Sequence, residues 1–227
     1  MNTDLPPTRW EGPTDIGRGY GVHFAELIAS GADVEGEARL ADALAPRHAR
    51  ILDAGSGMGR TAAALRRAGH QAVGVDLDAG LVEQSRATYP DLPVAQARLE
   101  QLDAAFLAAH EMPTEFDLVV CVGNVMVLLA NGSERTVLAR FADLLAPDGR
   151  VLVGFSLGGA PPRSRIYPAH EFAADAGVAG LAVESRWATF DLRPFDPDGD
   201  FAVFVLVSAQ LGGRAGRASG RARVETR

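Results

Sequence analysis

The chain contains no lysine, and all 22 of its basic residues are arginine. Its single cysteine, Cys121, excludes an intramolecular disulfide and a zinc site built from cysteines. The longest nearly uncharged run covers residues 118–130 and is too short to span a bilayer. The N-terminus lacks a basic segment followed by an apolar one, so we expect no signal peptide and a cytoplasmic location.

Negative charge dominates the body of the chain. The net charge of the 227 residues is -7, although the segment from Leu211 onward carries five arginines and one acidic residue. The remainder therefore holds 17 arginines against 28 acidic residues. Because an acidic surface is a poor electrostatic partner for nucleic acid or an anionic membrane, we expect neither as a partner. We also predict no metal site.

The most informative stretch is a strand-to-helix turn with glycine at every second position. Apolar residues 51–52 predict a buried strand, Gly55, Gly57 and Gly59 predict the turn, and residues 60–67 are rich in helix formers. Glycine can adopt φ > 0 and lets a ligand lie against bare backbone. Unpaired N–H groups at a helix N-terminus attract a carboxylate or a phosphate. The G-x-G-x-G spacing differs from the G-x-G-x-x-G of dinucleotide-binding proteins. The stretch could also be an ordinary glycine turn in another kind of α/β protein.

Residues 52–59, Leu-Asp-Ala-Gly-Ser-Gly-Met-Gly, resemble the first motif of the class I S-adenosylmethionine-dependent methyltransferases. Three further features match that family in order: Asp76 after a second apolar run, the strand that opens with Phe-Asp-Leu at 116–118, and the Pro-x-Gly turn at 147–149. The resemblance covers roughly residues 48–156. It implies S-adenosylmethionine as cofactor. It also implies a Rossmann-like α/β fold with a seven-stranded, mostly parallel sheet, an antiparallel last strand, helices on both faces and an N-terminal helical lid.

The resemblance also implies which residues hold the cofactor. Asp53 and the glycine turn would hold the methionine moiety, Asp76 would accept from the ribose hydroxyls, and Leu77 would lie on the adenine face. Asp78 has a local role available, as the N-cap of a helix over residues 79–88. The predicted cofactor-binding set is Asp53, Ala54, Gly55, Ser56, Gly57, Asp76, Leu77, Arg98, Leu99, Val122, Gly123 and Asn124.

The predicted adenine edge departs from the family pattern. The family usually has an aspartate after its third strand, where this chain has Arg98, followed by Leu99 and Glu100. The backbone N–H of Leu99 could still contact adenine, and Glu100 could take the acidic role. Arg98 could equally be a solvated side chain.

The end of the fourth predicted strand reads Gly-Asn-Val-Met over residues 123–126. Asn124 is either a ligand of the cofactor or acceptor, or a turn residue at a strand end. Enzymes that methylate exocyclic base amines have an Asn/Asp-Pro-Pro-aromatic tetrad at this place. Its absence argues against a nucleic-acid base as the methyl acceptor.

Candidate acceptor-binding residues lie outside the stretch of resemblance. Trp10 and Tyr20 belong to the predicted lid, and Tyr20 is an acceptor-binding candidate. Arg163 lies in the breaker-rich loop 158–165 and could bind an anionic acceptor, although a solvated loop explains it as well. His23 is the candidate general base, chosen by chain position alone, and an isolated histidine more often has a structural role.

These observations divide the chain into an irregular segment and helical lid (residues 1–46), a methyltransferase domain (47–210) and a disordered Arg/Gly-rich tail (211–227). The implied function is in-line methyl transfer from S-adenosylmethionine to a small molecule. Two alternatives stay open: a non-catalytic S-adenosylmethionine-binding regulator, and an NAD(P)-dependent oxidoreductase, against which the glycine spacing counts. The sequence makes no prediction of oligomeric state.

Overall fold

A computed structural model of the chain describes residues 5–11 and 16–209. The predicted tail, residues 211–227, and parts of the segment 1–46 therefore lie outside the described residues. The strands are β1 (Arg50–Ala54), β2 (Gln71–Asp76), β3 (Val94–Gln96), β4 (Phe116–Cys121), β5 (Leu145–Ser156), β6 (Leu181–Trp187) and β7 (Phe201–Ser208).

All seven strands form one sheet with the order β3-β2-β1-β4-β5-β7-β6. β7 runs antiparallel to both of its neighbours, and the pairs from β3 to β5 are parallel. This confirms the predicted Rossmann-like sheet with an antiparallel last strand. The chain places β2 and β3 on one side of β1 and then crosses to β4 on the other, which makes the β1/β4 boundary the topological switch point.

Helices cover both faces of the sheet. They are α1 (Ile16–Ala29), α2 (Gly36–Leu44), α3 (Arg60–Arg67), α4 (Ala79–Thr88), α5 (Ala104–Ala109), α6 (Val125–Leu128), α7 (Glu134–Leu144) and α8 (Ala169–Val178), with a 3₁₀ turn at Leu99–Gln101. Buried side chains of α2 and α3 pack on one face, and those of α5, α7 and α8 pack on the other. The apolar strands are covered on both faces, which is what a parallel sheet requires.

The start of α4 is determined by a side-chain cap. The Oδ1 atom of Asp78 accepts hydrogen bonds from the backbone N–H groups of Gly80 at 2.9 Å and Leu81 at 3.2 Å. These amides have no partner inside the helix, so the carboxylate satisfies them and favours the positive end of the helix dipole. The predicted bounds of this helix and the predicted cap are confirmed.

The predicted turn at residues 146–150 forms a bulge within β5 rather than a connection before it. Phe116 pairs with Leu145 and Leu118 pairs with Arg150, so the intervening residues of β5 loop out. A Cβ on Gly149 would lie 2.9 Å from the carbonyl oxygens of both Ala146 and Phe116. Only glycine fits there, which explains the Pro-x-Gly pattern.

Residues 5–11, which we call the strap, cross the edge of the sheet where β1, β2 and β4 end. Thr8 forms an antiparallel bridge with Ala130, just beyond α6. At the far side, the indole Nε1 of Trp10 donates to Oδ2 of Asp78 at 2.9 Å. The strap is therefore held at Thr8 and at Trp10 by groups that are distant in sequence.

Candidate functional site

A cavity lies at the carboxyl ends of β1, β2 and β4. This is the place where open α/β sheets bind ligands. The cavity is partly open, and its volume of about 620 Å³ includes open solvent. Its lining is mostly apolar, with a few polar groups from the strand ends and the strap. The lining residues are Thr8, Trp10, Tyr20, Gly55, Gly57, Asp76, Leu77, Leu81, Leu99, Glu100, Val122, Gly123, Val125, Leu128 and Leu129.

The glycine turn forms the floor of the cavity. Gly55 has φ 84° and Gly57 has φ 54°, values that residues with a Cβ rarely adopt. A Cβ on Gly55 would also lie 2.4 Å from Cγ2 of Val125, so the helix after β4 can approach only bare backbone. The backbone is thus left open toward the cavity, as the sequence predicts.

Asp76 lies at the end of β2 and faces the cavity. Its Oδ2 accepts from the N–H of Gly57 at 2.7 Å, and its Oδ1 accepts from the N–H of Asp78 at 2.8 Å. Burial raises the pKa of Asp76, while these two amide donors oppose the rise. Each carboxylate oxygen keeps a lone pair for a ligand hydroxyl, so the residue can act as an acceptor.

Asp53 is not part of the cavity lining. Its Oδ2 accepts from the N–H of Ala62 at 3.1 Å, so the carboxylate lies beneath the first turn of α3. Burial raises the pKa of Asp53 to about 7, with the charge of Arg60 acting in the opposite direction. Ala54 and Ser56, also predicted to bind cofactor, are buried and likewise do not line the cavity.

Leu77 and Leu99 of the predicted cofactor-binding set line the cavity, and so does Glu100. Arg98 does not line it. Its Nη2 atom donates to the carbonyl oxygen of Pro6 at 2.8 Å and to Oε1 of Glu100 at 3.0 Å. Arg98 therefore joins the strap to Glu100, which is an acidic residue of the cavity lining.

Val122 and Gly123 line the cavity at the end of β4, whereas Asn124 does not. Asn124 has φ 70°, and its Oδ1 accepts from the N–H of Ser156 at 2.7 Å. The side chain ties the start of α6 to the end of β5. This contact fits the second of the two interpretations of Asn124, that of a turn residue at a strand end.

The three residues predicted to bind the acceptor or to transfer a proton lie in different places in the structure. Tyr20 lines the cavity, with its ring edge-on to Trp10 at 6.0 Å between centroids. His23 lies on the exposed side of α1. Arg163 lies outside the lining and donates from Nη2 to the carbonyl oxygen of Glu11 at 3.2 Å, so it ties the 158–165 loop to the strap.

Sequence reasoning missed several lining residues, namely Thr8, Leu81, Val125, Leu128 and Leu129. Thr8 reaches the cavity through its bridge with Ala130, a long-range contact that no local sequence pattern predicts. Of the others, Leu81 belongs to α4, Val125 and Leu128 belong to α6, and Leu129 follows α6 directly. Periodicity does not separate these apolar residues from core residues.

Within the described ranges, no group of three or more His, Cys, Asp or Glu side chains could hold a metal ion. In the same ranges, no helix is long and apolar enough to cross a membrane.

Comparison with known proteins gives a consistent result. The family described as "Methyltransferase domain" matches residues 51–149. The TehB-like SAM-dependent methyltransferase from Corynebacterium glutamicum is 34% identical in sequence, with a TM-score of 0.74. That match covers 85% of this chain and 98% of the other. None of the curated protein sequences matches this chain.

Two more distant structures share the fold. The magnesium protoporphyrin IX methyltransferase (ChlM) from Synechocystis PCC 6803 with bound SAM is 18% identical, with a TM-score of 0.56, and the match covers 88% of this chain and 90% of that one. The glycopeptide N-methyltransferase MtfA complexed with sinefungin is 14% identical, with a TM-score of 0.59, and the match covers 77% of this chain and 94% of that one.

Proposed function

This chain belongs to the class I S-adenosylmethionine-dependent methyltransferases, and we propose that it transfers the methyl group of that cofactor to a small molecule. The observation that carries the proposal is the cavity at the switch point, where bare glycine backbone and Asp76 form the floor and the strap forms a cover. S-adenosylmethionine is the cofactor of the family. The NAD(P)-dependent oxidoreductase alternative is therefore wrong.

The cavity residues fit this cofactor. Gly55 and Gly57 line the cavity without a side chain, so their backbone is available to the methionine moiety. Asp76 offers carboxylate lone pairs to ribose hydroxyls, and Leu77 offers an apolar surface to the adenine. Glu100 replaces the usual aspartate as acceptor for the adenine amino group. Asp53 supports the site from behind by capping α3.

S-adenosylmethionine, when bound, supplies a methyl group already activated for displacement by a nucleophile. The protein's contribution is then to align the acceptor and to exclude water. Among the described residues that line the cavity, the titratable side chains are Tyr20, Asp76 and Glu100. Because His23 is exposed on the outer side of α1, we propose no proton-transfer role for it. We propose instead an acceptor whose nucleophilic atom needs no histidine base.

The small-molecule acceptor is supported by the cover over the cavity. Thr8 and Trp10 of the strap and Tyr20 of α1 form part of the lining, so a large acceptor would have to displace them. The acidic body of the chain disfavours nucleic acid. Two of the structural neighbours are named for a glycopeptide and for magnesium protoporphyrin IX, and neither is named for a nucleic acid.

We also propose that the two parts of the chain have the roles expected from the sequence. Residues 1–46 would provide the cover, through the strap and Tyr20, and residues 47–210 would form the methyltransferase domain. A cytoplasmic location fits the buried, free thiol of Cys121.

The proposal is tested by incubating the purified protein with tritiated-methyl S-adenosylmethionine and a metabolite extract from which macromolecules have been removed. We expect label in a low-molecular-weight product. A parallel incubation with proteins and nucleic acids of the same extract serves as the control. Label only in macromolecules would overturn the small-molecule acceptor, and binding without any transfer would favour a non-catalytic regulator.

A further inference from the structure

Three aromatic rings stand in a row from the strap into α1. The centroids of Trp10 and Tyr20 are 6.0 Å apart, and those of Tyr20 and Phe24 are 4.7 Å apart. Trp10 and Tyr20 line the cavity, whereas Phe24 does not and lies against the guanidinium of Arg60, 4.5 Å from the ring centroid. The first two rings are therefore available to a ligand, and the third belongs to the packing behind them.

Tyr20 lies over the gap between the end of β1 and the end of β4. Its Cε1 atom is 3.3 Å from the position that a Cβ on Gly57 would take, and its hydroxyl oxygen is 3.7 Å from that position on Gly123. Trp10 is fixed above the end of β2 by its hydrogen bond to Asp78. The two rings therefore border the path between Asp76 and the glycine turn.

The charged groups around this path are already engaged. Asp76 accepts two backbone N–H groups, and Glu100 is paired with Arg98. Behind the cavity, Arg60 is paired with Glu37 at 2.6 Å. Backbone N–H donors do not neutralise a carboxylate, so among the described lining residues a cation on this path meets the Asp76 side chain as well as the two aromatic rings. Burial raises the pKa of Tyr20, so its ring stays a neutral phenol at neutral pH.

We propose that Trp10 and Tyr20 recognise the positive charge of the sulfonium by cation–π attraction, so that S-adenosylmethionine binds more tightly than S-adenosylhomocysteine. This inference rests on the proposed function. In the covalent structure of the cofactor, the sulfonium joins the ribose to the methionine chain. With the ribose at Asp76 and the methionine at the glycine turn, the sulfonium belongs to the stretch that the two rings border.

The consequence is a discrimination between the methyl donor and its product. S-adenosylhomocysteine is a neutral thioether, so methyl transfer removes the charge that the rings attract. The ring contribution is then lost, and release of the product is favoured over release of the unreacted donor. Cation–π pairs of this kind change affinity by a factor of about 2 to 30.

The test is the ratio of the two dissociation constants, S-adenosylhomocysteine over S-adenosylmethionine, measured by calorimetry. We expect Tyr20→Leu and Trp10→Leu each to lower this ratio by about fivefold. Tyr20→Phe and Trp10→Phe keep a ring and should hold the ratio within about twofold of the wild type. Phe24→Leu is the matched control, since it removes a ring of the same row that does not line the cavity.

The outcomes separate this inference from the proposed function. If the wild type binds neither ligand, the proposed function itself fails. If both ligands bind and the leucine variants weaken them equally, the rings only pack against the cofactor and the inference is overturned. Should Tyr20→Leu not fold, Trp10→Leu on the strap decides the question by the same ratio.

Discussion

The guanidinium of Arg98 donates to the carboxylate of Glu100 at 3.0 Å, and the same nitrogen donates to the carbonyl oxygen of Pro6 in the strap. Arg98 stands where the family usually has an aspartate, and it holds Glu100, the residue that we propose as acceptor for the adenine amino group. The Glu100 side chain is 4% exposed and that of Arg98 is 15% exposed, so water screens the pair only partly.

Removing Arg98 should therefore leave a buried carboxylate without its partner. We expect Arg98→Met to lower the free energy of unfolding by about 1–3 kcal/mol. Glu100→Gln in the same chain should recover part of that loss, because the charge that needs Arg98 is gone. A double-mutant cycle by urea unfolding measures the coupling, and additive effects of the two substitutions would contradict the pair.

Asp76 is expected to be the main polar anchor of the cofactor. Asp76→Ala should weaken S-adenosylmethionine about 10- to 100-fold in a calorimetric titration, since it removes charge-assisted hydrogen bonds to the ribose. Asp103→Ala is a matched control, because Asp103 caps α5 through the N–H of Phe106 at 2.7 Å and does not line the cavity. It should cost stability by about 1 kcal/mol and leave the affinity unchanged. Equal affinities for the wild type, Asp76→Ala and Asp103→Ala would show that Asp76 does not bind the ribose.

Burial raises the pKa of Asp53 to about 7, well above that of an aspartate in the unfolded chain. Between the two pKa values the folded protein holds a proton that the unfolded chain has lost, so the free energy of unfolding falls as the pH rises toward 7. The slope from this one group is at most about 1.4 kcal/mol per pH unit. Asp53→Asn keeps an acceptor for the Ala62 N–H but does not titrate.

Urea unfolding at several pH values between 4 and 8 measures this effect. The advantage of the wild type over Asp53→Asn should shrink as the pH rises through this window. A difference between the two proteins that is constant with pH would show that Asp53 is ionised in the folded state.

The strap should control access to the cavity. Arg9 donates from Nη1 to the carbonyl oxygen of Leu129 at 2.8 Å and lies 3.6 Å from Glu134. Arg9→Ala removes both contacts, so we expect several-fold faster dissociation of S-adenosylmethionine in stopped flow and faster proteolysis within residues 5–11. Arg39→Ala is the control, since Arg39 pairs with Asp33 on the exposed surface. Unchanged rates for Arg9→Ala would mean that the strap does not cover the site.

The sequence predicted those parts of the fold and of the site that depend on residues close together in the chain. The strand ends at Gly55, Asp76 and Val122 lie in the cavity because a parallel sheet brings its carboxyl ends to one edge. Likewise α4 begins where the sequence predicts it, because the side chain of Asp78 caps the helix locally.

The remainder depends on partners far along the chain. Arg98 turns toward Pro6, and the Asn124 side chain toward Ser156, because those backbone groups offer hydrogen bonds outside the cavity. Thr8 reaches the cavity only through its bridge to Ala130. Neither periodicity nor a motif predicts the direction of these side chains, so only the structure shows it.

We expect the cavity between the strap and the glycine turn to hold S-adenosylmethionine. The most direct measurement is a calorimetric titration of that cofactor into the wild type and Gly57→Val, with folding of both checked by circular dichroism. Valine would place side-chain atoms against Tyr20, since a Cβ at Gly57 already lies 3.3 Å from its ring. We expect micromolar binding to the wild type and at least a tenfold loss in the variant, roughly 1.4 kcal/mol or more. No binding to the folded wild type, or equal binding to both proteins, would contradict it.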